Sequence, residues 1–404
     1  MPKNKRPAPR KSATSPEVID EQNALILSQL ALDLSEREEY HAEDEILRQK
    51  DLDFKRLLRK LLNQHKDEVL YSAIELAQDE AIEAWTLLRE AVAEEAGTLL
   101  LRREGAPTLE VNAFAIPLFV HSTGGLDALQ DFQDPEAFDA LVASFQQAGL
   151  EGPKAKVVLI RHAYDLKEID GITYGALHAM VRDAATSMTE KKLVQTPALE
   201  RSMSGWAPSA FGASDSAVEL RFLLGFALKR EDDPFYQVPT DEAAADAWFA
   251  ARMARYQAWT EQYAPLVRRC LSATPDALSL NFLYQDLFFG AKEQALAEYA
   301  TLQMLADLNH ALEAAQLDPA QASVVLAPAD IDGQMVLRVQ LSAAPGTAVL
   351  AICDRPLDLA ADLELEVDDV RDALASIGIL RVAVAQKFDA SGQPYDPRPL
   401  SIPV

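Results

Sequence analysis

Cysteine is nearly absent from this chain, which has only Cys270 and Cys353 among its 404 residues. The two lie far apart in the sequence, and no Cys-x-x-Cys pair is present. This scarcity excludes a disulfide framework and a cysteine zinc cage, and it is typical of proteins in a reducing compartment. We therefore expect a cytoplasmic protein.

Long apolar runs are also missing. No stretch approaches the ~18 consecutive apolar residues that a membrane-spanning helix needs, and the longest runs, such as "AIPLFV", have the length of a strand. The first residues lack the apolar core of a secretory signal, and a lone basic run is a poor transit peptide. We predict no membrane association.

Acidic residues outnumber basic ones, and the formal net charge is −25. Residues 1–12 have five basic side chains and no acidic one, so the rest of the chain carries −25 − 5 = −30. A body this acidic repels nucleic-acid backbones and anionic lipids. We expect residues 1–15 to be a disordered basic tail, and weak nucleic-acid association only through residues 1–12.

The periodicity predicts a helical hairpin region over residues 16–99, where "DLDFKRLLRKLLNQ" repeats apolar residues at three-four spacing. Strand and helix patterns then alternate, which predicts a central α/β domain over 100–235. Residues 236–404 read as long helices followed by a C-terminal α+β sheet with the order β-β-β-α-β. The predicted class is a mixed α+β or α/β fold: a helical N-terminal region, then two α/β layers with mixed sheets.

Three local signals refine this prediction. "DPEAFDALVASFQQAG" predicts a helix that Asp134 caps and Gly149 ends. The Asp332-Gly333 pair predicts a β-hairpin turn. Pro117 lies inside an apolar strand run, where it indicates a bulge or a sheet edge because proline has no N–H to donate.

A strand pattern, "KVVLI", leads into Arg161, His162 and Ala163. A strand that ends in Arg-His-Ala resembles the motif of histidine phosphatases, in which the histidine accepts a phosphoryl group and arginines stabilise its charge. The further groups of such a site would be Arg201 and His310. The alternative interpretation is an ordinary strand end with a polar histidine, because so short a motif recurs by chance.

A second histidine, His121, ends the earlier strand pattern "AIPLFVHS". If the two strands are neighbours, His121, Arg161 and His162 face the same end of the sheet, where open α/β sheets bind ligands. The turn after His121 would add Thr123, and Gly124 and Gly125 could cradle an anion. We take these six residues as the candidate catalytic and ligand-binding set.

Motifs for other chemistry are missing from the sequence. Neither G-x-G-x-x-G, nor the Walker A spacing, nor G-x-S-x-G occurs. Carboxylate pairs such as Asp368-Asp369 are typical of helix caps rather than of metal sites. We predict no cofactor and no metal.

The run "RLLRKLLNQHKDEVLYSAIELAQ", followed by "AWTLLREAVAEEA" and "LEVNAFAIPLF", resembles a bacterial family known as domain of unknown function family 2863. Members of that family end with a Cys-x-x-Cys-Gly-x-Pro segment. The corresponding stretch here, residues 388–394, keeps the glycine and the proline and has neither cysteine. The resemblance implies a cytoplasmic bacterial protein of unassigned activity and assigns no catalytic residues.

Three functional hypotheses follow. The first is a non-enzymatic interaction or scaffold protein that binds a protein partner through its N-terminal helices, because no catalytic constellation assembles in the sequence. The second is a small-molecule-binding protein or phosphate-ester hydrolase that uses His162 with Arg161 and His121. The third is weak nucleic-acid association through residues 1–12.

Overall fold

The structure is a computed structural model, and it describes residues 15–35, 45–122, 134–189, 218–272, 274–331, 334–357, 360, 362–389 and 391–399. The chain divides into two compact units, residues 1–291 and residues 292–404. Helices and two β-sheets give it the predicted mixed α+β class. No helix in the described ranges is long and apolar enough to cross a lipid bilayer.

The first unit begins with consecutive helices, as the periodicity predicts: α1 (Pro16–Ser35), α2 (Glu45–Asn63), α3 (Asp67–Glu80) and α4 (Ile82–Gly97). On α2 the buried side chains recur three or four residues apart, with lysine and arginine on the other side. On α1 the buried residues are mostly small, which allows close helix packing: Ala24, Leu27, Ser28 and Ala31.

The remaining helices of the first unit follow or interrupt its strands. They are α5 (Pro135–Gln147), α6 (Leu166–Asp170), α7 (Tyr174–Thr189) and α8 (Glu242–Leu271). Asp134 caps α5 as predicted, since its side chain accepts a hydrogen bond from the N–H of Ala137 at 2.9 Å. Gly149 follows α5 with a φ of +69°, a left-handed conformation that favours glycine.

Within the described ranges, one six-stranded sheet lies in the first unit. Its strands are β1 (Thr98–Leu101), β2 (Leu109–Ser122), β3 (Lys156–Asp165), β4 (Val218–Arg230), β5 (Leu278–Phe282) and β6 (Asp286–Leu287). The order is β1-β2-β4-β3, and β5 and β6 pair with β2. Each recorded pairing between these described strands is antiparallel. This sheet is therefore not the mixed sheet that the alternation of strands and helices predicted.

The strands β2, β4 and β3 form the buried centre of this sheet. One face of the sheet packs against α5 and α8, in a core that includes Phe114, Phe145 and Trp259. Gly225 of β4 allows this packing, because a Cβ at that position would lie 2.7 Å from Leu159 Cδ2 and would overlap the Phe114 ring. A larger residue here would force the two apolar side chains apart.

Pro117 lies inside β2, paired with Phe222 of β4, without a shift in register. On its other side β2 pairs with β6 up to Ala115 and with β5 from Leu118 onward. Pro117 therefore occupies the gap between two short partner strands, where no N–H is needed. At Pro117 the structure therefore has a change of partner strand, from β6 to β5, and not the predicted bulge or sheet edge.

The predicted boundaries at residues 99/100 and 235/236 both fall inside the first unit. The second boundary is crossed by the core that α5 and α8 share. The first is crossed because the N-terminal helices share hydrogen bonds and packing with α7. The carboxylate of Asp67, at the start of α3, accepts hydrogen bonds from Thr173 Oγ1 at 2.9 Å and from the N–H of Gly175 at 2.7 Å. His178 of α7 hydrogen-bonds through Nδ1 to the Glu95 carbonyl oxygen at 3.1 Å.

The last long helix is α9 (Phe288–Ala314), which begins in the first unit and continues into the second. The second unit then has β7 (Ser323–Ile331), β8 (Gln334–Ser342), β9 (Val349–Pro356), α10 (Leu363–Ser376), β10 (Arg381–Val384) and β11 (Arg398–Pro399). The predicted order β-β-β-α-β is confirmed. The hairpin residues Asp332 and Gly333 lie outside the described residues.

Residues of α9 and α10 cover one face of this second sheet, whose order is β11-β10-β7-β8-β9. The sheet is mixed, because β10 runs parallel to β7. The cap of α10 is Asp362, whose side chain accepts from the N–H of Glu364, rather than Asp368 or Asp369.

Candidate functional site

The imidazole of His162 lies at the carboxyl end of β3 and contacts a carboxylate from the next helix. Its Nε2 is 3.0 Å from both carboxylate oxygens of Glu168, which lies in α6. The ring also packs edge-on against Tyr164, at a centroid distance of 4.7 Å. The side chains of His162 and Glu168 are only 4% and 11% exposed. A buried histidine therefore donates from Nε2 to a largely buried carboxylate.

The sequence Asp165-Leu-Lys-Glu168 explains why this contact forms. Asp165 Oδ1 accepts from the N–H of Glu168 at 2.8 Å, and Glu168 Oε2 accepts from the N–H of Asp165 at 2.9 Å. This reciprocal pair is a capping box, which fixes the start of α6. Glu168 thus caps a helix and holds His162 at the same time. Burial and the charge of Glu168 raise the pKa of the neighbouring Tyr164 hydroxyl, so it stays protonated.

A second buried ion pair lies on β4, next to this cluster. Arg221 pairs with Asp165 in the β3–β4 register and forms a salt bridge with Glu219 on its own strand. Both side chains of the salt bridge are 8% exposed. Burial lowers the pKa of Arg221, and the carboxylates of Glu219, Asp165 and Glu168 oppose that shift. Carboxylates therefore surround the cation, and they would repel a phosphate group.

Arg161 and His121 do not join His162 in this cluster. The guanidinium of Arg161 lies over the ring of Phe138 in α5, 4.6 Å from its centroid. His121 pairs with Val218 of β4, whereas the residue after His162 pairs with Leu223. At about 3.3 Å per residue and 4.8 Å per strand, the two histidines lie roughly 20 Å apart.

The expectation that the two histidine-bearing strands are neighbours is therefore wrong, because β4 lies between β2 and β3. Thr123, Gly124 and Gly125, predicted to bind an anion, lie outside the described residues, as does Arg201. His310 lies within α9, as the sequence indicated. Among the described residues, no group of three or more histidine, cysteine, aspartate or glutamate side chains is arranged to hold a metal ion.

The most unusual surface in the described part of the first unit lies on α1. Four large apolar side chains of this helix are exposed: Val18 (38%), Ile19 (44%), Leu25 (57%) and Ile26 (51%). The polar residues Gln22 and Gln29 are exposed beside them. We call these six residues the outer face of α1. The buried residues Ala24, Leu27, Ser28 and Ala31 point the other way, so α1 is apolar on both sides.

The outer face repeats every seven residues, which is close to two helical turns. Val18 and Leu25 form one row, Ile19 and Ile26 a second, and Gln22 and Gln29 a third. This repeat is the signal in the sequence that would have found the face. By contrast, α8 also exposes Phe249 and Met253, but Arg252 and Arg255 lie on the same stretch.

Two carboxylates border the outer face: Glu21 is exposed one turn from Val18 and Leu25, and Asp33 accepts a hydrogen bond from Gln29 Nε2 at 3.4 Å. Glu17, Asp20 and Glu21 line an open cleft of about 830 Å³ between α1 and the start of α3. Asp33 forms an ion pair with Lys50 of α2, with Nζ and Oδ2 2.7 Å apart. In a chain of which a quarter is charged, a helix face that exposes four large apolar side chains is a departure from an ordinary solvated surface.

The cleft beside α1 is acidic, but its carboxylates already have structural contacts. Asp20 pairs with Lys66 across the cleft at 2.7 Å, and Asp67 caps α7 through Thr173 and Gly175. The neighbouring Tyr71 packs against Tyr174 at a centroid distance of 5.4 Å. We therefore treat the cleft as part of the packing of α1 on α3, and the outer face of α1 as the candidate functional surface.

Comparison of the chain with protein-family models, with curated proteins and with solved structures finds no match. The resemblance to domain of unknown function family 2863 stays a prediction.

Proposed function

We propose that the chain is a non-enzymatic interaction or scaffold protein, located in the cytoplasm, whose N-terminal helices dock a protein partner. The observation that carries the proposal is the outer face of α1, where four large apolar side chains are between 38% and 57% exposed. Such a face costs free energy in water, and surfaces of this kind commonly mark interaction sites.

The energy available at this face is sufficient for a specific contact. Complete burial of one valine, leucine or isoleucine side chain contributes about 1.5–3 kcal/mol, so covering the exposed half contributes about 1 kcal/mol each. The inner side of α1 is already packed, with Ala24, Leu27 and Ala31 fully or almost fully buried. A partner can therefore cover the outer face without unfolding the helix from α3 and α4.

The surroundings of His162 favour the same proposal over the hydrolase hypothesis. The Nε2 atom that would attack or accept a phosphoryl group is occupied by Glu168. The adjacent cation, Arg161, lies over Phe138 instead. The two cysteines are unpaired, and this suits the reducing cytoplasm that the proposal assumes.

Site-specific photo-crosslinking in cells that produce the full chain tests this proposal. The photoreactive residue p-benzoylphenylalanine replaces Leu25 in one variant and Leu365 in a control. Leu365 is a matched position, since it is also an exposed helical leucine (64%, against 57% for Leu25) and lies in the second unit. We expect a discrete crosslinked species of defined mass from position 25 and none from position 365. The absence of any adduct at position 25, or the same adducts at both positions, would refute the proposal.

A further inference from the structure

We draw no further inference here: the strongest candidate, the outer face of α1, already carries the proposed function, and nothing in the described part of the structure shows which partner covers it.

Discussion

Ionisable side chains are usually exposed and large apolar ones buried. The sheet end around His162 departs from the first rule, and the outer face of α1 departs from the second. At the sheet end, ionisable groups are buried and each is held by a counter-charge or a hydrogen bond: His162 by Glu168, and Arg221 by Glu219. On α1, four large apolar side chains are exposed to solvent. The comparison teaches that conspicuous residues such as Arg161-His162 can serve the fold, while plain leucine and isoleucine form the surface that we propose for partner binding.

Removal of one partner from the buried Glu219–Arg221 salt bridge of β4 should produce the largest change in the free energy of unfolding. We expect Arg221→Met to lower the free energy of unfolding by about 3–5 kcal/mol, because Glu219 is left buried without its cation. The double variant Glu219→Leu, Arg221→Met should lose less than the single one, since no unpaired charge remains. Urea unfolding measures both, and a double variant less stable than Arg221→Met would contradict this account of the sheet end.

Two leucines of α1, one buried and one exposed, test whether the outer face of the helix contributes to the stability of the fold. Leu27 is fully buried, so we expect Leu27→Ala to cost about 2–5 kcal/mol. Leu25 is exposed, so Leu25→Ala should change the free energy of unfolding by less than about 0.5 kcal/mol when the chain is dilute. Urea unfolding at 1 µM measures the pair of variants. Similar losses for both would mean that the outer face belongs to the core.

The link between His162 and the start of α6 should be weaker than the β4 pair, because it rests on hydrogen bonds. We expect Glu168→Ala to cost about 1–3 kcal/mol, because His162 Nε2 and the N–H of Asp165 lose their acceptor. Glu261→Ala, at an exposed position of α8, is the control and should stay within about 0.5 kcal/mol. Thermal unfolding compares them, and equal stability of the two variants would argue against a structural role for the contact.

The smallest expected effect concerns His178, a third buried polar group. Burial lowers the pKa of His178, and the nearby Arg182 and His65 side chains lower it further, while its contact with Glu95 raises it. The folded chain therefore holds this ring neutral, and the unfolded chain takes up a proton below about pH 6.5, so stability falls as the pH falls through that value. We expect His178→Gln to lose less stability than the wild type between pH 7.5 and pH 5.5 in urea unfolding. If the stability of the wild type and of His178→Gln depended identically on pH, the lowered pKa of His178 would be contradicted.

Local signals in the sequence predicted the elements of the fold well. The periodicity over residues 16–99 predicted α1 to α4, the Asp134 cap and Gly149 marked the limits of α5, and the order of elements along the second unit, β-β-β-α-β, was confirmed. These features depend on neighbouring residues, which is why a pattern encodes them. The partners of the strands are not local. Nothing in β2 or β3 shows that β4, which follows β3 by more than fifty residues, inserts between them.

The candidate site was harder to predict from the sequence, for a related reason. Asp165-Leu-Lys-Glu168 reads as a capping box, but only the folded strand end brings His162 within 3.0 Å of the same carboxylate. The seven-residue repeat on α1 is visible in the sequence once it is sought. An apolar repeat does not by itself distinguish a buried side from an exposed one, because both sides of α1 are apolar and only packing against α3 and α4 selects the inner one.

Thiol labelling of the outer face tests the central claim most directly. Cys270 is fully buried and Cys353 half-buried, and burial raises their pKa to about 12 and about 11, so the native thiols react slowly. Maleimide labelling of Leu25→Cys and Leu365→Cys chains is compared in dilute purified protein and in intact cells. The account predicts that position 25 reacts freely when dilute and is protected in cells, while position 365 reacts in both. Equal labelling of the two positions in cells would contradict it.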